Sequence, residues 1–461
     1  MASHGQASPG TGRQRVVIVG GGFAGFHAAR RLARRHADSV EVTVVNPTDY
    51  FLYLPLLPEV AGGILDPRQI AVPLTTRSRG VKHLLGTVTG ADLAARTLEI
   101  RDPEGGARTI SYDQVVFAAG SVNKLLPIPG VADNAHGFRS VAEAVYLRDH
   151  LLRQVELADA ADDRAERDAR CTFVVVGAGY TGTEVAAHGQ LLTRAAIRRR
   201  PGLHGVRPRW LLIDVAPRVL PGLDQRLSRT AERVLTGRGV QIRTETSVEH
   251  ASPDGVKLSD GEFVATRSLI WCVGVRPDPL IESLGLPVSK GRLVTDEYLT
   301  VPGHPEIHAC GDAAAVPDIT RPGQLTAMTA QHAERQGKTV AHNVAASAAA
   351  SRTASSAASS QRRRYKHHDL GFVVDLAGAR AAANPLGVPL SGPVAKAVTR
   401  GYHLLSIPAN RVRIAADWLI DAMSRRQTVQ LGMVRSGMVP LTAGTPERPH
   451  PPSAPAPKPD T

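Results

Sequence analysis

Two glycine turns of identical spacing constrain this chain more than any other feature. Gly20-x-Gly22-x-x-Gly25 and Gly177-x-Gly179-x-x-Gly182 each follow a β-branched apolar run and open a stretch of helical apolar period. The first reads as a strand at Val16 to Val19, a helix carrying Ala28, Ala29, Leu32 and Ala33, and a strand at Val40 to Val45. The second reads as a strand at Thr172 to Val176, a helix through Ala187 and Leu191, and a strand at Trp210 to Val215. In such a unit the first glycine makes the tight turn, the second lets a pyrophosphate approach the backbone, and the third packs helix on strand. The helix N-terminus then holds the phosphates. The prediction is an α/β protein with two Rossmann-like dinucleotide-binding domains.

The residue ending the second strand of each unit reads the ribose. In the second unit it is Asp214, which accepts bonds from both ribose hydroxyls of NADH and repels a 2′-phosphate, so NADH is preferred over NADPH. In the first it is Asn46, a weaker acceptor for the same bond. Arg218, four residues beyond Asp214, can soften the NADH preference or stand in a solvated loop, and Gly177 to Asp214 is a long interval because RAAIRRRPGLHGVRPR extends helix and loop, its arginines reading as a solvated face.

Composition narrows the class. The 461 residues carry 55 Lys+Arg against 42 Asp+Glu, a net charge of +13, with 43% hydrophobic residues. The segment 362–435 holds 12 Lys/Arg and 4 Asp/Glu, net +8, so the excess is local. No nucleic-acid recognition motif accompanies it. No run of about 18 apolar residues occurs, and the first twelve residues lack a signal-peptide core, so no spanning helix or signal peptide is expected. Cys171, Cys272 and Cys310 form no C-x-x-C pair, which argues against a disulfide framework, a cysteine metal site or a dithiol centre. His367 and His368 have no ligand partners at metal spacing and read as a strand edge, so no metal is expected. The tract AASAAASRTASSAASSQ reads as a flexible linker, with a helical reading of its alanines also open, and the segment after Val439 as a proline-rich disordered tail.

Gly311 and Asp312 follow a short strand, where the carboxylate can bind a ribityl hydroxyl of FAD. The order of two fingerprints and then Gly-Asp resembles flavoproteins with two dinucleotide-binding domains, the first holding FAD and the inserted second holding nicotinamide. Ala118 to Ser121, with Ala119 and Gly120, and the stretch around Gly274 resemble the two chain crossings between them. Residues 46–62 lack the cysteine of the disulfide reductases. YFLYLPLLPEVAGG and TAMTAQHAERQGKTVAHN are similar to type II NADH dehydrogenases, single-subunit flavoenzymes that pass electrons from NADH to quinone without pumping protons.

That resemblance implies several roles. Ala330, Gln331, Gln336 and Gly337 match the family's A-Q-x-x-x-x-Q-G helix, placed beside the flavin and lining the quinone site, with Phe51 to Leu57 as the opposite wall. Glu184 matches a glutamate that reaches toward nicotinamide and flavin, where it positions NADH and influences proton traffic. Leu54 departs from the polar residue usual there. The family's C-terminal pattern of β-hairpin and amphipathic helices is expected in 362–440. On a wheel, Val412, Ala415, Ala416, Leu419, Ala422 and Met423 share a face with Trp418 at its border, while Arg413, Asp417, Asp421 and Ser424 gather opposite. Flanked by Arg411, Arg425 and Arg426, this helix suits an anionic membrane surface on the cytoplasmic side, or a homodimer.

The expected organisation is a leader over 1–12, an FAD domain from 13–130 and 296–344, an inserted NADH domain at 131–295, a linker at 345–361, a C-terminal segment at 362–440 and a tail at 441–461. The expected activity is hydride transfer from NADH to FAD and electron delivery to menaquinone or ubiquinone. A ferredoxin-like or small soluble acceptor, and a non-enzymatic NADH sensor with a partner-binding C-terminal segment, stand as alternatives.

Overall fold

The computed structural model describes residues 13–77, 80–353 and 361–442; the expected leader, residues 354–360 of the linker and the tail beyond 442 lie outside the described residues. The chain opens with the strand Gln14–Val19, helix α1 (Phe23–Arg35) and the strand Val40–Asn46. These strands pair in parallel at the centre of a six-stranded sheet. Its other strands are Val81–Leu85 on one side and Gln114–Phe117, His304–Ala309 and Thr300–Val301 on the other. Val16, Ile18, Val115 and Val116 are fully buried, as parallel strands covered on both faces require.

Helix α2 (Leu57–Ala61) and helix α3 (Val141–Asp159) lead to a second, five-stranded parallel sheet. Its order is Ala135–His136, Leu269–Trp271, Thr172–Val176, Arg209–Ile213 and Val240–Arg243, with helix α4 (Tyr180–Ile197) after the third of these. The second sheet is thus inserted between strands of the first. Where the chain passes between the sheets, Ser121–Asn123 and Val275–Pro277 pair antiparallel side by side. These are the crossings expected near Gly120 and Gly274.

Two boundaries differ from the sequence reading. Leu280, Ile281, Leu284 and Leu293 pack into the core of the first sheet, so the return to that unit precedes residue 296. The Ala/Ser tract from 345 is helical to Thr353, continuing helix α5 (Ala330–Thr353), with Ala345 and Ala348 buried. Small side chains look like linker until a partner covers them, and alanine is the strongest helix former. The partner is α1. Any Cβ at Gly337 would strike the carbonyl of Ala24, so the helices cross at backbone distance.

The C-terminal segment forms a three-stranded antiparallel sheet (Val373–Asp375, Ala381–Ala383, Leu390–Ser391), helix α6 (Gly392–Ser406) and helix α7 (Arg411–Met423). Residues 362–372 carry no strand, so His367 and His368 are not a strand edge. On α7, Ile414 and Trp418 point inward, which moves Trp418 off the border of the apolar face, while Val412, Leu419, Ile420 and Met423 are more than half exposed. Among the described residues no helix is long and apolar enough to cross a membrane.

Candidate active site between the two sheets

Both glycine turns open into one cavity of about 1480 Å³, larger than the ~300–1,000 Å³ typical of a single drug-sized ligand. The two turns share one geometry. Gly20 and Gly177 take φ of +103° and +101°, which L side chains rarely adopt. Side chains at Gly25 and Gly182 would collide with the carbonyls of Gly20 and Gly177, so both pack helix against turn rather than face the cavity. Gly22 and Gly179 line the cavity, and a Cβ there would meet nothing within 4 Å. Each turn therefore presents an open backbone cradle at the first N–H groups of α1 and α4, where an anion is stabilised by the helix dipole.

The residues at the ends of the second strands brace these turns. Asn46 Oδ1 accepts from the Gly21 N–H at 2.7 Å, and its Nδ2 donates to Thr48 O and Oγ1. The Asp214 carboxylate accepts from the N–H groups of Ala178 and Ala216, the latter at 2.8 Å. Both side chains still line the cavity. Across from the first turn, Ser121 Oγ donates to Asp312 at 2.6 Å, and Arg139 donates to Ser121 Oγ at 3.1 Å. Ala119, Gly120, Gly274, Gly311 and Asp312 all border the cavity.

The α5 glutamines separate in role. Gln331 lines the cavity; its Nε2 donates to Gly371 O at 2.7 Å, while its buried Oε1 has no hydrogen-bond partner. An acceptor left bare at a cavity wall awaits a donor from whatever fills it. Gln336 does not border the cavity. Only 1% exposed, it accepts from the Gly311 N–H at 2.7 Å and donates to Thr326 Oγ1 at 3.0 Å. It positions the Gly311–Asp312 turn from behind, which corrects its expected place in the acceptor site. The opposite wall is likewise only partly as expected: Leu52, Leu54, Pro55 and Leu57 line the cavity, but Phe51 is fully buried and stacks on Phe26 at 4.6 Å.

Sequence reasoning missed a part of this wall supplied by the C-terminal segment. Tyr402, His403 and Phe372 reach the cavity, with His403 Nδ1 3.1 Å from Tyr53 OH. Burial takes His403 down to about 4, so its ring is neutral at physiological pH. His367 also borders the cavity and stacks on His332 at 3.8 Å. Neither histidine stands in a motif, and only long-range packing brings them here.

Glu184 lies on the cavity at the first turn of α4 and accepts from the Asp375 N–H at 2.8 Å. Burial pushes its carboxyl well above the carboxylate range, reinforced by Asp375 and Glu59. Behind it, Glu59 of α2, His188 of α4 and Asp375 bring potential ligand atoms within 4.8 Å of one another. The cation in this nest is Lys396 of α6, which donates to Asp375 and, at 3.3 Å, to Glu59. Trp418 Nε1 donates to the other Glu59 oxygen. Burial lifts Glu59 to about 7. For Asp375 burial works against ionisation, but His188 and Lys396 beside it hold the carboxyl well below the usual range.

None of the three thiols is activated as a nucleophile, although Cys272 borders the cavity. Cys171 and Cys310 are buried and Cys272 is partly covered; none is in a disulfide. Burial pushes them up to about 11, 12 and 12 for Cys171, Cys310 and Cys272, far from the thiolate that reactivity requires.

Comparison with known proteins agrees with this geometry. The profile of the pyridine nucleotide-disulphide oxidoreductase family matches residues 14–337. The type II NADH:quinone oxidoreductase NdhA of Mycobacterium tuberculosis is 32% identical over 442 residues, covering 92% of this chain and 90% of that protein. The demethylphylloquinone reductase NdbB of a Synechocystis species is 29% identical over 88% of this chain and 96% of its own length. The structure of NDH2 from Plasmodium falciparum with NADH superposes with a TM-score of 0.82 at 16% identity, covering 90% of this chain and all of that one. Two braced phosphate turns on one cavity, the absence of a cysteine pair, and relatedness along nearly the whole chain converge: this protein belongs to the pyridine nucleotide-disulphide oxidoreductase family, as one of its type II NADH:quinone oxidoreductases.

Proposed function

We propose that this chain oxidises NADH and reduces a quinone, with FAD along the first sheet and NADH along the second. The observation that carries this reading is the single cavity shared by two open glycine cradles, each at a helix N-terminus. When bound, FAD supplies a two-electron acceptor for hydride and a donor to quinone. The residues present fit it: Gly22 leaves room for a pyrophosphate, Asp312 faces the cavity as a hydroxyl acceptor, and Gln331 offers an unpaired acceptor.

The chain's own groups divide the remaining work. Gly179 and the start of α4 hold the NADH pyrophosphate, and Asp214 accepts from its ribose and disfavours a 2′-phosphate. Glu184, whose carboxyl burial pushes well above the usual carboxylate range, stands at the nicotinamide end as a group that can hold or release a proton. Leu52, Leu54, Leu57 and Phe372 form the apolar wall for a quinone ring, with Gln331 and His403 at its polar edge. Gln336 positions the Gly311 turn. The exposed apolar face of α7 and the +8 segment support a peripheral association with an anionic membrane surface, which on this reading is the cytoplasmic one.

Steady-state NADH oxidation with menaquinone, ubiquinone and ferredoxin-like acceptors tests the proposal. Turnover with a quinone well above that with any protein acceptor is expected. Faster turnover with a protein acceptor would overturn it.

A further inference from the structure

A second cavity of about 950 Å³ lies away from the glycine turns, between the end of α4, the turn at Gly378 and Ala379, α6 and the end of α7. Its charge is one-sided. Arg198, Arg199, Arg400, Arg425 and Arg426 line it, against one lining carboxylate, Asp421. That carboxylate is engaged by Arg426 at 3.0 Å. Lys396 also borders the cavity but is already paired with Asp375 and Glu59. The remaining lining arginines meet no second carboxylate in the wall.

Two of these guanidiniums are also short of acceptors. Arg426 Nη1 and Arg400 Nε are buried and have no hydrogen-bond partner. Arg400 also lies over the Trp418 ring, its Cζ 4.7 Å from the ring centroid, a cation–π contact. Buried donors left bare are costly, and a planar fork of them matches the oxygens of a phosphate. The other walls are small or apolar, with Ala195, Ala379, Ala397 and Ala422. Immediately outside, the exposed apolar residues Leu419, Ile420 and Met423 of α7 and Val394 of α6 stand in solvent.

We infer that this cavity is a binding site for the phosphate headgroup of an anionic phospholipid, its acyl chains lying along the exposed apolar side chains of α6 and α7. The inference deepens the membrane-surface reading above and rests on it. A general basic surface attracts anionic lipid from any side; this site takes one headgroup in a defined place. It also joins the C-terminal segment to α4, whose opposite end carries the Gly179 cradle and Glu184.

The test compares two pairs of exposed arginines of equal charge. Arg198→Gln with Arg425→Gln removes cations from the cavity, and Arg413→Gln with Arg435→Gln removes exposed cations of the same C-terminal segment outside it. FAD-loaded full chain is floated with phosphatidylcholine vesicles, with and without phosphatidylglycerol. A near-surface arginine is worth roughly fivefold in affinity for anionic membrane by charge alone, so the outer pair should lose at most on the order of twentyfold with phosphatidylglycerol. The cavity pair should lose several-fold more, because it also gives up direct contacts with the headgroup, and thermal midpoints should match wild type. Equal losses from both pairs would overturn the headgroup site while leaving the general membrane reading intact. Wild-type protein that ignores phosphatidylglycerol would overturn both. Displacement of the wild type from vesicles by soluble glycerol phosphate at matched concentration would assign the cavity to a soluble phosphate ester and overturn the lipid assignment.

Discussion

Replacing Gly179 by alanine separates ligand binding from folding, because the structure assigns the second and third glycines of the turn different neighbours. At Gly179 the backbone has φ −72° and ψ −165°, open to any residue, and a Cβ would meet nothing within 4 Å. Gly179→Ala should therefore fold normally, with a thermal midpoint unchanged or slightly raised, since alanine lowers unfolded-chain entropy by about 0.4–1 kcal/mol. The added methyl projects into the space where the pyrophosphate must approach. Losing one charge-assisted backbone hydrogen bond at about 1.5–3 kcal/mol weakens NADH binding by roughly ten- to 150-fold. Gly182→Ala behaves oppositely. Its methyl would lie inside the 3.0 Å that real Cβ atoms do not cross, against the Gly177 carbonyl, so α4 must shift. Overpacking of this kind costs about 1–3 kcal/mol, and the thermal midpoint should drop. Titration calorimetry with NADH and differential scanning fluorimetry read the two effects on the same samples. Gly179→Ala with wild-type NADH affinity, or with a lowered midpoint, would refute the reasoning.

Other expectations follow from the same geometry. Asp214→Arg should turn the preference from NADH toward NADPH, measured as the ratio of kcat/KM values; an unchanged ratio removes Asp214 from ribose recognition. Gln331→Ala should slow reoxidation by quinone while sparing flavin reduction by NADH, and equal slowing in both half-reactions contradicts its place at the acceptor wall. Lys396→Met leaves Glu59 and Asp375 buried without their cation and should cost about 3–5 kcal/mol in chemical denaturation. Glu59, raised from 4.5 to about 7, contributes stability that is present below pH 4.5 and is lost as pH rises through about 7. The stability of wild type relative to Glu59→Gln should therefore fall by on the order of 3 kcal/mol across that window; parallel pH profiles would exclude the titration of Glu59.

The parts of the site made from contiguous residues were legible before any coordinates. Each glycine turn is a local solution to bringing backbone near phosphate, so strand, turn, helix and the residues Asn46 and Asp214 stand in order in the sequence. Gln336 shows the limit. On sequence spacing it belongs beside Gln331, but five residues along α5 turn its side chain away from the cavity to the Gly311 N–H. Phe51 fails for a related reason, since a short strand alternates faces and sends it into the core. The alanines beyond 345 suit linker or helix on sequence alone, because small residues carry no signal of what covers them. The nest of Glu59, His188, Asp375 and Lys396 was invisible because its members are up to 337 residues apart and meet only when α6 docks on α2 and α4. Tyr402 and His403 reach the cavity by that same docking.

The central claim is that electrons pass from NADH to a quinone through flavin held by the first glycine turn. Anaerobic stopped-flow mixing of the FAD-loaded protein with NADH, followed by a second mix with a menaquinone or ubiquinone analogue, tests it most directly. Prompt loss of the oxidised flavin absorbance is expected on the first mix, and its return on the second. Flavin that stays oxidised in the presence of NADH, or that stays reduced in the presence of both quinones, would contradict it.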